Sequence, residues 1–99
     1  MLKKRFFKTK QEVEIAFEID PDNAESVELV CEANGWEPVA MKKGKSGGFK
    51  TKMRMPREQQ IQFRYLVNGE SWVNDETADD YRINQFGGRN GVIDTTPSS

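Results

Sequence analysis

The chain is 99 residues long, and its 15 basic and 16 acidic residues give it a formal net charge of −1 at pH 7. This length corresponds to one domain, and a charge so near zero provides no general attraction to nucleic acids or membranes. The absence of histidine and the presence of one cysteine, Cys31, exclude imidazole general-base chemistry, a Ser-His-Asp or Cys-His triad, a thiolate or imidazole metal cage and an intramolecular disulfide.

The first half of the chain is predicted to form β-strands, because apolar and polar residues alternate with a period of two. The basic residues 1–10 are predicted to form an N-terminal strand or arm. Residues 21–23 have the composition of a turn, and the polar residues 43–48 have that of a hairpin tip. Pro56 marks the end of a strand because proline donates no hydrogen bond to a sheet. The predicted strands of this half are residues 13–19, 27–32, 39–42 and 49–55.

The second half begins with the clearest hairpin signal of the chain. Residues 60–67 alternate as a strand, and the Asn68-Gly69 pair that follows is typical of a type I′ turn, whose two central residues both need a positive φ. A short strand through Trp72 and Val73 should pair back onto this strand. The remaining segments are predicted as one helical turn at 75–80, a glycine-rich loop at 86–91, a last short strand at 92–93 and a frayed tail at 95–99.

Short strands separated by turns, with no long helix, predict the fold class. We expect an all-β protein that forms one immunoglobulin-like β-sandwich of two sheets over residues 1–99. On the strand before the Asn-Gly turn, the period of two places Phe63 and Tyr65 inside and Arg64 outside. Cys31 falls on an inward position of its own strand, so we expect a small core residue rather than a reactive thiol.

Charge occurs in blocks along the chain. Residues 1–10 and 41–57 are basic, whereas residues 11–40 are rich in acidic residues and contain no lysine or arginine. Alternating blocks that nearly cancel resemble facing strands of opposite charge that would pair across a sheet, but solvated strand faces are the interpretation that we prefer. The outward positions of the second basic block carry no interleaved aromatic residues for base stacking, so we expect no nucleic-acid partner.

The location of the protein is predicted from what the sequence lacks. No apolar stretch of signal-peptide length follows the basic N-terminus, and no window reaches the roughly 20 apolar residues of a membrane span. A lone thiol is typical of a reducing compartment. We therefore expect a cytoplasmic protein that contacts no membrane. Because histidine is absent and cysteine occurs once, we also expect it to work without a metal or cofactor.

Several short motifs occur in a specific order along the chain. They are Asn34-Gly35-Trp36, Phe63-Arg64-Tyr65-Leu66-Val67-Asn68-Gly69, Trp72, Asn74-Asp75 and Phe86-Gly87-Gly88-Arg89-Asn90. This order resembles the isoamylase early-set domain, also called carbohydrate-binding module family 48, which includes the glycogen-binding domain of the AMP-activated protein kinase β subunit. The resemblance covers roughly residues 13–94.

The resemblance implies a non-catalytic module that binds an α-1,4-glucan, either a polysaccharide such as glycogen or starch or a maltooligosaccharide. Trp36 and Trp72 correspond to the two tryptophans that stack on sugar rings. Arg64 stands where relatives have a lysine that donates hydrogen bonds to sugar hydroxyls. Phe86 takes the place of a leucine beside the sugar ring, and Asn90 that of an asparagine that bonds hydroxyls. An indole suits the C–H face of a pyranose, which supports this assignment on chemical grounds.

Three alternatives compete with this interpretation. The carboxylates of residues 75–80 could serve a glycoside hydrolase, but a solvated acidic loop explains them better, so we expect no enzyme. Taken alone, each tryptophan is slightly more typical of a buried plug at the edge of the sandwich, and only its combination with Arg64 and the Asn90 loop favours a binding surface. The main alternative function is a protein-interaction or regulatory module that docks on a glycogen-metabolising enzyme without binding sugar itself.

Overall fold

The computed structural model describes residues 2–7, 11–45, 47–85 and 87–96. Within these residues the chain forms β-strands and one short 3-10 helix, Glu32–Asn34. The strands are β1 (Leu2–Phe6), β2 (Glu12–Ile19), β3 (Val27–Cys31), β4 (Val39–Ala40), β5 (Lys42–Lys43), β6 (Phe49–Pro56), β7 (Gln60–Val67), β8 (Ser71–Val73), β9 (Asp80–Ile83) and β10 (Arg89–Asp94). No helix of the described residues is long and apolar enough to cross a membrane.

The strands form two antiparallel sheets that pack as a sandwich. The four-stranded sheet has the order β1-β2-β6-β5, and the six-stranded sheet has the order β4-β3-β7-β10-β9, with β8 also paired to β7. One edge of β7 pairs with β3, while its other edge pairs first with β10 and then with β8. The prediction of an all-β, two-sheet, immunoglobulin-like sandwich is confirmed.

The core lies between the sheets and consists of the inward residues of the long strands. Phe63 sits at its centre, because its ring centroid is 5.5 Å from that of Phe17 and 5.6 Å from that of Tyr65, both in edge-on contact. Cys31 pairs with Phe63 in register and is fully buried, and this burial raises the pKa of its thiol. The inward positions predicted for β3 and β7 are therefore confirmed.

A buried polar contact closes the end of the core next to β8. The Tyr65 hydroxyl donates a hydrogen bond of 2.8 Å to Asp75 Oδ2, and the backbone N–H and hydroxyl of Thr77 donate to Asp75 Oδ1. Burial by itself would raise the pKa of Asp75, but the hydrogen bonds that it accepts, those from Thr77 and Tyr65 among them, lower the pKa below its usual range. Burial and the nearby carboxylate raise the pKa of Tyr65.

Charge blocks of opposite sign pair in the four-stranded sheet, although solvated strand faces were the preferred interpretation of the sequence. The acidic strand β2 lies between the basic strands β1 and β6, so Glu14 stands between Arg5 and Arg54, and Glu18 stands opposite Lys50. The Nζ of Lys52 is 4.0 Å from Glu14 Oε1. Opposite charges on neighbouring strands remove the repulsion that a row of like charges would create.

The segment between β8 and β10 differs from the prediction. The helical turn expected at 75–80 is wrong, because Asp75 accepts a hydrogen bond from the N–H of Thr77 in a tight turn and the chain then enters β9. No strand was predicted at β9, and the loop expected at 86–91 ends earlier, at the start of β10. Both differences have one cause, since β9 and β10 pair over four residues and supply each other's backbone hydrogen bonds.

Candidate functional site

A groove of about 520 Å³ lies on the outer face of the six-stranded sheet. Its described lining residues come from β3, the Trp36 loop, β7, β8, the β9–β10 loop and β10. They are Val30, Trp36, Arg64, Trp72, Asn84, Gln85 and Asn90. The fold thus brings together four of the five predicted site residues, and the fifth, Phe86, lies outside the described residues.

The floor of the groove is formed by outward side chains of β3 and β7. Val30 and Arg64 are partners in the antiparallel register, so they share this face. Val30 is an outward residue, yet only 8% of it is exposed, because the walls of the groove cover it. The floor therefore combines an aliphatic surface with one guanidinium.

Trp72 forms one wall through its place in the β7–β8 hairpin. Asn68 and Gly69 both have a positive φ, of 54° and 70°, as the predicted type I′ turn requires. This turn sets the register in which Trp72 faces Leu66 on the outer side of β7. The Cζ of Arg64 lies 4.9 Å from the centroid of the Trp72 ring, which is a cation–π contact.

Trp36 is held in the groove by an unusual backbone conformation. Gly35 and Trp36 both have a left-handed φ, of 73° and 67°, after the short helix. This conformation costs a bulky L-residue about 1–2 kcal/mol, and the N–H of Trp36 stabilises it by donating to the carbonyl of Cys31 at 2.9 Å. Backbone strain of this kind concentrates at functional positions.

Neither tryptophan is a buried plug. Trp36 is 40% exposed and Trp72 is 49% exposed, although an indole in a domain of this kind is mostly buried when it serves the core. The edge-plug alternative is therefore wrong for both side chains. Each keeps a large part of its surface open to solvent at the groove.

Asn90 lies at the bottom of the groove within a chain of amides. Its Nδ2 donates to Gln62 Oε1 at 3.0 Å, and its Oδ1 accepts from Asn84 Nδ2 at 3.3 Å. Asn84 in turn accepts the N–H of Gly88 at 3.1 Å. Because Asn90 is only 8% exposed, it offers little surface to a ligand. Its hydrogen bond with Asn84 Nδ2 instead orients the Asn84 amide in the groove.

Two lining residues, Asn84 and Gln85, were not predicted. Both immediately precede the Phe86-Gly87-Gly88-Arg89-Asn90 motif, and that position is the signal that could have identified them. Amide side chains can both donate and accept, so they suit ligands with several hydroxyl groups.

The carboxylates of residues 75–80 do not line this groove. Asp75 is buried against Tyr65, and Asp79 Oδ2 accepts a hydrogen bond from the N–H of Asp94 and lies 2.6 Å from Lys4 Nζ. Asp75 and Asp79 therefore have structural partners. In the described part of the chain no group of three or more histidine, cysteine or carboxylate side chains is arranged to hold a metal ion.

No protein-family model matches the chain, and no curated protein matches it in sequence. The resemblance to the isoamylase early-set family therefore stays a prediction that rests on the motifs and their order. The described geometry is an independent basis for a functional proposal.

Proposed function

We propose that this protein is a non-catalytic module that binds α-1,4-glucans in the groove between Trp36 and Trp72. One observation carries the proposal: two half-exposed indoles line the same groove together with a guanidinium and three amide side chains. Its volume of about 520 Å³ falls in the usual range of small-ligand sites.

The chemistry of a pyranose matches this lining. One face of the ring presents C–H groups that pack on an indole, while the hydroxyl groups at the rim need donors and acceptors. Arg64, Asn84 and Gln85 supply those polar groups beside the two tryptophans. A curved glucan can place successive rings against walls that belong to different loops.

The same chemistry sets the expected affinity. Covering roughly 100 Å² of each indole contributes about 2–3 kcal/mol, and each neutral hydrogen bond adds only about 0.5–1.5 kcal/mol. The loss of translational and rotational freedom offsets several kcal/mol of this gain. We therefore expect a Kd between about 10 μM and 1 mM for one maltooligosaccharide, and tighter retention on a polymer through repeated contacts.

Two tryptophan variants test the proposal by isothermal titration with maltoheptaose. Trp72→Ala and Trp36→Gly should each weaken binding at least about tenfold, the loss expected from one stacking contact. Glycine is chosen at position 36 because it adopts the left-handed φ without strain. The backbone of the groove should therefore survive the change, and circular dichroism should show an unchanged fold.

Ile83→Ser is the matched control. Ile83 is 80% exposed and does not line the groove, so its loss removes exposed apolar surface while leaving glucan affinity as it was. Absence of binding by the unaltered protein at millimolar maltoheptaose would overturn the proposal. So would tryptophan variants that fold and bind like the unaltered protein, and either result would favour a module that docks on another protein.

A further inference from the structure

Arg64 carries the only charge among the described side chains that line the groove. Among the described residues it forms no ion pair with a carboxylate. Arginines are usually exposed to water or paired when buried. Arg64 is half-buried on the floor of the groove, so its guanidinium is accessible to a ligand and has no carboxylate partner among the described residues.

The surroundings of Arg64 reduce its hydration as well. Its Nε is buried without a hydrogen-bond partner, its Cζ lies over the Trp72 ring, and its partner in register is the aliphatic Val30. A charge that has lost part of its water interacts more strongly with an ion brought next to it. Neutral hydroxyl groups compensate such a charge less well than an oxyanion does.

The backbone beside Arg64 leaves room for the planar head group. A methyl group built on Gly88 would lie 3.6 Å from Arg64 Nη2 and 3.4 Å from Asn84 Nδ2. Both are ordinary van der Waals separations, so Gly88 lies beside both the Arg64 head group and the Asn84 amide. A guanidinium offers a fork of N–H donors that matches the two oxygens of a carboxylate or phosphate.

We propose that the groove prefers an α-glucan that carries an oxyanion, either a phosphate monoester or a uronate carboxylate, and that Arg64 binds this group. The inference rests on the proposed function, because the sugar rings still stack on Trp36 and Trp72. It adds the ligand class: an anionic glucan rather than a neutral one.

The experiment compares three ligands by isothermal titration at low and moderate salt. They are maltoheptaose, a maltoheptaose phosphorylated on a 6-hydroxyl group, and a maltoheptaose in which one 6-hydroxymethyl group is oxidised to a carboxylate. Both anionic ligands should bind at least about tenfold tighter than the neutral one, the size expected for a charge-assisted hydrogen bond. Salt should weaken only this preference, because it screens charges and leaves stacking intact.

Arg64→Gln and Arg64→Lys assign the preference to this side chain. Glutamine should abolish the preference, so that the anionic ligands bind this variant no more tightly than maltoheptaose does, whatever the variant loses in neutral binding. Lysine should keep part of the preference because it retains the charge without the fork. Lys50→Gln is the matched control, since Lys50 is exposed on the outer face of the four-stranded sheet. It removes the same charge and should leave the preference unchanged.

The outcomes separate this inference from the proposed function. Equal binding of neutral and anionic glucans would overturn the inference and leave glucan binding intact, whereas no binding of any of them would overturn both. A preference that persists in Arg64→Gln would place the anion elsewhere and overturn the role of Arg64. Tighter binding of adenosine 5′-monophosphate than of the phosphorylated glucan would also overturn the inference, in favour of a nucleotide.

Discussion

The outer faces of the two sheets follow the same alternation along their strands but have different properties. On the four-stranded sheet, β2 and β6 pair over eight residues, and outward charges such as Glu14 and Arg54 face each other. On the six-stranded sheet, one edge of β7 is shared by two shorter strands, β10 and β8. The first face has a concavity of about 250 Å³ that is lined mostly by charged side chains, whereas the second has a groove of about 520 Å³ with Trp36 and Trp72 at its walls.

This difference shows that alternation places a side chain on a face but does not make that face a site. The groove forms where the partner of β7 changes from β10 to β8. The loops that precede β4 and β10 form its sides. On the sheet with the long uninterrupted pair of β2 and β6, the concavity is only about half as large, at about 250 Å³. The face with the larger, aromatic groove should tolerate fewer changes than the face of solvated charges.

The largest expected effect comes from adding one methyl group under the groove. A Cβ on Gly91 would lie 3.0 Å from Phe63 Cε1 and 3.3 Å from Ala78 Cβ, so Gly91→Ala forces the core or β10 to shift. Overpacking of this kind costs about 1–3 kcal/mol. Urea unfolding should show the loss as a lower midpoint with an unchanged slope.

Gly48→Ala is the matched change beside the other sheet. A Cβ there would meet the flexible Glu18 side chain at 3.6 Å, an ordinary contact. This substitution should change the free energy of unfolding by less than about 0.5 kcal/mol. Equal losses for both glycines would contradict the proposed difference between the two sheets.

A second prediction concerns the buried contact between Tyr65 and Asp75. Tyr65→Phe removes a donor from a buried carboxylate and should cost about 1–3 kcal/mol near neutral pH. The pKa of Asp75 is lowered in the folded state, so its contribution to stability is present above the unfolded pKa of about 4 and is lost as the pH falls through the folded pKa.

Unfolding of both proteins between pH 7 and pH 2 checks this sign. The variant should lose less stability on acidification than the unaltered protein, because the pKa of Asp75 then lies nearer its ordinary value. Tyr81→Phe is the control, since the Tyr81 hydroxyl donates to the backbone carbonyl of Asp75 rather than to its carboxylate. Identical acid profiles for Tyr65→Phe and the unaltered protein would contradict the assignment.

The smallest effect is expected on the charged face. The side chain of Lys52 is 70% exposed and lies 4.0 Å from the Glu14 carboxylate, and exposed ion pairs contribute about 0–1 kcal/mol. Lys52→Gln should change the free energy of unfolding by less than about 0.5 kcal/mol and leave glucan affinity as it was. A loss of groove binding in this variant would show that the two faces are coupled.

Alternation predicted the long strands because their pattern is decided locally. The strands β2, β6 and β7 each place apolar residues inside at every second position, and the Asn68-Gly69 turn has the two positive φ values that its sequence requires. These features depend on side-chain period and turn chemistry alone.

Elements that depend on a distant neighbour were predicted less well. The strand β9 is short and polar, and it exists because β10 pairs with it. A tight turn at Asp75 takes the place of the helical turn expected at 75–80. The Asp75 carboxylate accepts a hydrogen bond from the Tyr65 hydroxyl of β7, and this contact cannot be deduced from residues 75–80 alone. Asn84 and Gln85 were not predicted as site residues because their position also depends on a distant neighbour. Only the pairing of β9 with β10 brings them to the groove.

The sequence by itself determined an all-β sandwich, the inward side chains of its long strands and the identity of the aromatic and basic candidates, because alternation and turn residues act over a few neighbouring positions. Only the tertiary structure decided that Trp36, Arg64 and Trp72 share one groove and that the indoles stay half exposed. Those outcomes depend on how strands distant in sequence pair along β7, and local sequence patterns do not encode that pairing.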